Sequence, residues 1–102
     1  MVSGARAVER CDRLGLPPYS DSADGLYRAY LTPAYAASQQ LVARWMAQAG
    51  MAVRIDAAGN LIGRYEGTGD GPPLIVGSHL DSVRDAGRYD GPLGIMLGIE
   101  CV

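Results

Sequence analysis

Lysine and phenylalanine are missing from this chain, and histidine occurs once. All nine basic residues are therefore arginine, set against 11 acidic ones, for a formal net charge of −2. No basic patch accumulates along the chain, which removes the electrostatic footprint of a nucleic-acid binder. The missing lysine and phenylalanine are a compositional bias and identify no partner. Cysteine is nearly absent too: Cys11 and Cys101 lie at opposite ends and form no CxxC pair. That excludes a disulfide framework, and two reduced thiols of a cytosolic protein are the expectation, with a bridge between them left open. No stretch approaches the roughly 20 apolar residues of a membrane span. Met1-Val2-Ser3-Gly4-Ala5-Arg6 has none of the apolar run of a signal peptide, so a soluble, cytoplasmic chain is expected.

What is present is enough for one folded unit. The 102 residues are 48% hydrophobic, and a chain of this size buries roughly two-thirds of its unfolded surface. Ala5 to Leu14 predicts a short helix, ended by Gly15 and Pro17-Pro18, followed by a polar loop from Tyr19 to Gly25. Thr32-Pro33 reads as an N-cap with proline at the first helical position. Leu41, Val42, Trp45, Met46 and Ala49 then recur at helical spacing and make one apolar, core-facing stripe, which Gly50 ends. Met51 to Asp56 and Leu61 to Tyr65 are β-rich, and Ala58-Gly59-Asn60 between them predicts a hairpin. Gly67-Thr68-Gly69-Asp70-Gly71-Pro72-Pro73 is a surface loop without the Gly-Lys-Ser/Thr ending of a phosphate loop. Leu74-Ile75-Val76-Gly77 is a short uninterrupted apolar run, as in a strand covered on both faces. Pro92 to Val102 is apolar and helical in character. Together these elements predict an α/β layered domain.

The chemistry concentrates after that apolar run. Gly77-Ser78-His79-Leu80-Asp81-Ser82-Val83 leads to Gly87-Arg88-Tyr89-Asp90-Gly91, placing one histidine and two carboxylates among glycines. Imidazole and carboxylate are good ligands for a hydrolytic divalent metal, and such a metal turns water into a nucleophile at neutral pH. His79 falls where the predicted strand ends, the position at which open α/β sheets bind ligands. In extended chain Asp81 shares its face, and a metal-bound imidazole needs such a carboxylate or a carbonyl to fix its tautomer. Asp90, eleven residues beyond His79, can be folded back by the glycine-containing loop and has two oxygens with which to bridge a pair of ions. Gly91 and Gly94 permit tight backbone around it. Asp85 reads as a solvated loop residue and Glu100 as a helix-surface charge. Arg84 and Arg88 suit either a carboxylate substrate or plain solvent. A lone histidine is more often merely packed or hydrogen-bonded, and that reading also accounts for a motif this short.

Beyond these spacings, Gly77 to Val83 and Gly87-Arg88-Tyr89-Asp90-Gly91-Pro92-Leu93-Gly94 closely resemble the bacterial allantoate amidohydrolase and N-carbamoyl-L-amino acid hydrolase group. That group lies within the aminoacylase- and carboxypeptidase-like dinuclear metallohydrolases. Asp56 to Arg64 is similar to it as well, as is Tyr30-Leu31-Thr32-Pro33-Ala34 with the helix that ends Ala49-Gly50-Met51. The resemblance covers about residues 10 to 102 in order. It implies the N-terminal part of a mixed-sheet, zinc-peptidase-like catalytic domain with helices packed on the sheet, incomplete at its C-terminus. Residues 1–102 are then a portion of that domain, with the rest of it and the small dimerisation (lid) domain absent.

For the site, the resemblance implies His79 as a first-metal ligand and Asp90 as the carboxylate bridging two divalent ions, zinc or manganese. Asp81 is implied as the catalytic-site aspartate that steadies the histidine. The implied substrate is a small ureido or carbamoyl compound, with water attacking its carbonyl. Allantoate is favoured because Arg84 stands where carbamoylase-like sequences tend to carry proline; an N-carbamoyl-L-amino acid is the alternative. The resemblance also implies a homodimeric parent enzyme. Its paired glutamates and further ligand histidines have no counterpart before Val102, so the chain alone is expected to be inactive. A non-catalytic remnant or partner-binding module stays open as a reading from another class.

Overall fold

The computed structural model describes residues 1–102. Ser3 opens the first helix, α1 (Gly4–Leu14), its side-chain oxygen accepting the Arg6 N–H at 3.1 Å. That bond satisfies one of the unpaired donors of a helix start. Ala7, Cys11 and Leu14 recur on one face and are fully buried, the stripe an amphipathic helix turns to a core. Thr32 caps α2 (Pro33–Gln48) in the same way, with Pro33 in the first turn. Gly50, with φ of 93°, follows its end, where a residue with a Cβ is disfavoured. Both helices match the expectation.

The hairpin also forms as expected. β1 (Ala52–Ile55) and β2 (Leu61–Arg64) pair antiparallel, with Ile55 opposite Leu61. Its loop is built by Asp56, whose carboxylate accepts the backbone N–H groups of Ala58 and Asn60 and the Asn60 amide, at 2.9–3.0 Å. These bonds hold the Asp56 carboxyl below its ordinary range, the Asn60 side chain contributing most. The loop docks on α2 through its Gly59 carbonyl, which accepts from Tyr35 Oη at 3.0 Å and Gln39 Nε2 at 2.6 Å.

A third helix, α3 (Pro92–Glu100), packs on α1. The core joins Cys11 and Leu14 of α1 to Val42 and Trp45 of α2, Met96 and Ile99 of α3, and Leu80 from the intervening segment. Cys11 is a buried free thiol, and Cys101 an exposed one. The chain is thus a small α/β arrangement of three helices and one two-stranded sheet. No helix is long and apolar enough to cross a membrane.

Two expectations are corrected. Leu74–Gly77 is not a buried strand: Leu74, Ile75 and Val76 are 90%, 86% and 66% exposed. An interior strand needs a ladder partner and a cover on each face, and no backbone hydrogen bond reaches residues 74–77. His79 accordingly follows an open, extended strap, not the end of a sheet strand. Glu100, in turn, is no surface charge. It is 5% exposed and faces α1, where Arg6 holds it through two bonds of 2.8 Å and the Ser3 N–H donates at 2.8 Å.

The strap has a consequence for behaviour in solution. An apolar, unpaired backbone edge is a template for intermolecular pairing. The chain is expected to self-associate with rising concentration in analytical ultracentrifugation, and Ile75→Lys to restore a monomer. A wild-type chain that stays monomeric at high concentration would contradict this.

Candidate metal centre

Three constraints shape the segment Gly77–Val83. Leu80, 6% exposed, is the one residue of this segment turned into the core, between the exposed His79 and Asp81. His79 and Asp81 therefore share the opposite, open side, as the sequence predicts. Ser78 Oγ donates to the Gly91 carbonyl at 2.7 Å, tying the segment to the turn that begins α3. That turn carries Asp90 and brings it back beside His79.

The imidazole lies between the two carboxylates. On one side Nδ1 stands 2.9 Å from the Asp81 carbonyl oxygen and 3.3 Å from Asp81 Oδ1. A carbonyl can only accept, so a hydrogen bond at this contact requires the proton on Nδ1. On the other side Nε2 faces Asp90 Oδ1 at 3.7 Å, beyond hydrogen-bonding range. In the Nδ1–H form of the neutral ring, the Nε2 lone pair faces that carboxylate oxygen. Two donors of one tetrahedral zinc, each at about 2.0–2.1 Å, stand roughly 3.3 Å apart, so a small displacement suits the pair to one ion. His79 and Asp81 are each 51% exposed and Asp90 79%, leaving the approach open. No set of three histidine, cysteine or acidic side chains converges on one point. These residues therefore fit part of a metal's ligand set.

A cavity of about 270 Å³ opens beside the ring, lined by Tyr30, Tyr35, Asn60 and Leu61 together with His79 and Asp81. Neither tyrosine was legible as a site residue: each lies far from His79 in sequence and in no recognisable motif. Burial pushes the Tyr35 phenol up, with Tyr30, Asp81 and Asp56 adding in the same direction.

The other charged candidates lie elsewhere. Arg84 stacks over the Tyr27 ring at 4.7 Å, a cation–π contact. Arg88 stands 3.6 Å from Asp12, which also accepts the Tyr89 hydroxyl at 2.8 Å. Asp85 is exposed in the connecting loop with φ of 51°. Glu100 points to α1.

The fold and the site thus define a small α/β frame that brings one histidine and two carboxylates together beside an open cavity, and comparison with known proteins supplies the family. No family model matches the chain. It is 46% identical over 103 residues to an N-carbamoyl-L-amino acid amidohydrolase of Geobacillus stearothermophilus, covering 100% of this chain and 25% of that protein. It is 41% identical over 97 residues to the allantoate deiminase of Arabidopsis thaliana, covering 94% of this chain and 18% of the other. A ureidoglycolate hydrolase of the same plant is 34% identical over 89 residues, 85% of this chain and 19% of that one. The chain belongs to the family that unites these amidohydrolases and deiminases, and spans a quarter or less of the length of the relatives it matches.

Proposed function

We propose that this chain carries part of the metal centre of an amidohydrolase that cleaves a carbon–nitrogen bond in a ureido compound. The observation that carries this reading is the His79–Asp90 pair, Nε2 facing a carboxylate oxygen at 3.7 Å, with Nδ1 on the far side 2.9 Å from the Asp81 carbonyl oxygen. His79, through Nε2, and Asp90 would hold the ion, and a carboxylate with two oxygens would suit a zinc or manganese pair. A divalent ion held there supplies Lewis-acid polarisation and lowers the pKa of water. Asp81 keeps the imidazole in the tautomer that leaves Nε2 free. No third histidine, cysteine or acidic side chain completes a metal-holding group with this pair, and the 102 residues alone are expected to be inactive.

Within the complete enzyme the reading extends to a zinc-peptidase-like mixed sheet, to a dimerisation domain, and to a cytoplasmic homodimer. Allantoate is the first substrate, and the 46% identity to an N-carbamoyl-L-amino acid amidohydrolase favours that substrate class as the second. Arg84 does not decide between them, because it stacks on Tyr27 away from His79.

The test is calorimetric titration of the chain with Zn²⁺, beside a His79→Ala/Asp90→Ala double variant. Binding by the wild type that weakens at least tenfold in the double variant is the expected result. Identical heats from the two proteins would remove His79 and Asp90 from the ligand set.

A further inference from the structure

Arg28 is the largest side chain that the fold buries completely, and no acidic group neutralises it by contact. Its guanidinium instead binds three backbone carbonyls from three separate segments. Nε donates to Leu80 at 2.7 Å, and Nη1 donates to Leu14 at 2.7 Å and to Tyr19 at 2.8 Å. Nη2 is buried without a partner. Burial alone pulls its pKa down, and the negative charges of Asp81 and then Asp21 oppose that. An enclosed cation is costly unless its geometry is used, and here the planar fork joins the end of α1 and the 19–20 turn to the His79 strap. The backbone of Arg28 meets the same strap. Its N–H donates to Ser82 Oγ at 2.9 Å, and its carbonyl accepts the Ser82 N–H at 2.7 Å.

That last bond has a geometric effect on His79. The Ser82 N–H and the Asp81 C=O belong to one trans peptide plane, and they point in opposite directions. Turning the N–H toward Arg28 therefore turns the carbonyl toward His79, where it stands 2.9 Å from Nδ1 and can accept a proton from it. The Arg28 side chain fixes the preceding plane in the same way, through the Leu80 carbonyl. We propose that Arg28 is the positioning residue of His79: by clamping the two peptide planes that flank Asp81 it selects the Nδ1–H tautomer and leaves Nε2 free to ligate. This rests on the metal-ligand reading for its purpose, though not for its geometry. A purely structural arginine would stabilise the fold without reporting at the ring.

The only histidine of the chain makes the test direct, since every imidazole signal belongs to His79. Long-range proton–nitrogen NMR at a pH where the ring is neutral reads its tautomer, and Zn²⁺ calorimetry reads its ligation. Arg28→Lys keeps the charge and loses the fork. It is expected to shift the ring from Nδ1–H toward the Nε2–H form and to weaken Zn²⁺ binding 10–100-fold, the range for loss of an outer-shell partner. Ser82→Ala removes the Oγ that accepts the Arg28 N–H and keeps the Ser82 N–H bond to the Arg28 carbonyl, so it loosens the clamp and is expected to shift the ring less and in the same direction. Ile99→Val, a core change, should lower the melting temperature with the ring signals unmoved. A folded Arg28→Lys protein with a wild-type tautomer overturns the proposal; if that variant does not fold, a wild-type tautomer in Ser82→Ala does so. A wild type that fails to bind Zn²⁺ while Arg28→Lys still moves the tautomer sinks the metal reading and upholds the positioning role.

Discussion

Replacing Gly91 with alanine is expected to destabilise the chain and dismantle the His79 site together. Gly91 sits at φ of 100° and ψ of −66°, immediately before α3, a conformation that residues with a Cβ avoid. Holding a side-chain-bearing residue there costs about 1–3 kcal/mol by itself. The space is closed as well. An added Cβ would collide with the His79 carbonyl oxygen and lie 2.7 Å from ring atoms Cε1 and Nδ1. The first of these is backbone and cannot swing aside, so His79 must move off the turn. Its Nδ1 contact with Asp81 and its facing of Asp90 are then lost together. The melting temperature should fall by roughly 4–8 °C for each kcal/mol, and Zn²⁺ affinity should fall at least about tenfold. Gly63→Ala is the informative contrast. Its Cβ would meet the sulfurs of Met51 and Met46 at 2.7 and 2.8 Å, which lie toward the ends of adaptable side chains. That variant should leave Zn²⁺ binding unchanged, and a Gly91→Ala protein that matches it in both measurements would refute the argument.

The contrast between those glycines marks what can be read from sequence and what cannot. Local signals translated well. Thr32-Pro33 and Gly50 bound α2, and the turn residues before Leu61 form the hairpin loop, because caps and turns involve residues a few positions apart. The alternation of His79, Leu80 and Asp81 was legible for the same reason, a two-residue period in extended chain. Asp90 was legible as chemistry, and its approach to His79 is made by the turn at Gly91. What failed depended on distant partners. Leu74–Gly77 has the composition of a covered strand, but composition does not show whether a neighbour pairs with it. Glu100 reads as a helix-surface charge until Arg6, 94 positions earlier, is brought against it. Arg28 lies in no motif, and only the meeting of Leu14, Tyr19 and Leu80 around it reveals its part.

The Glu100 clasp makes the stability of this chain depend on acid. Arg6 first of all, with the Ser3 N–H and Arg10 at 3.8 Å assisting, holds the Glu100 carboxyl well below its ordinary 4.5, at about 2. A carboxylate with a depressed folded-state pKa binds its proton more readily in the unfolded chain. Its contribution is therefore complete above the unfolded value near 4.5 and is lost as pH falls toward about 2. Glu100→Gln removes the charge at every pH and sets an amide N–H₂ group where one carboxylate oxygen had accepted. At pH 7 the variant is expected to melt roughly 5–10 °C lower, a figure that allows for screening at the half-exposed Arg6. Lowering the pH should close that gap through the window from about 4.5 to about 2, because the wild type loses the interaction that the variant never had. Asp56 also carries a depressed pKa, yet it is shared by both proteins and cancels in the difference. Thermal melts of the pair at pH 7, 4.5, 3 and 2 provide the check. A gap that stays constant across the series would show that Glu100 holds α1 to α3 by packing and not by charge.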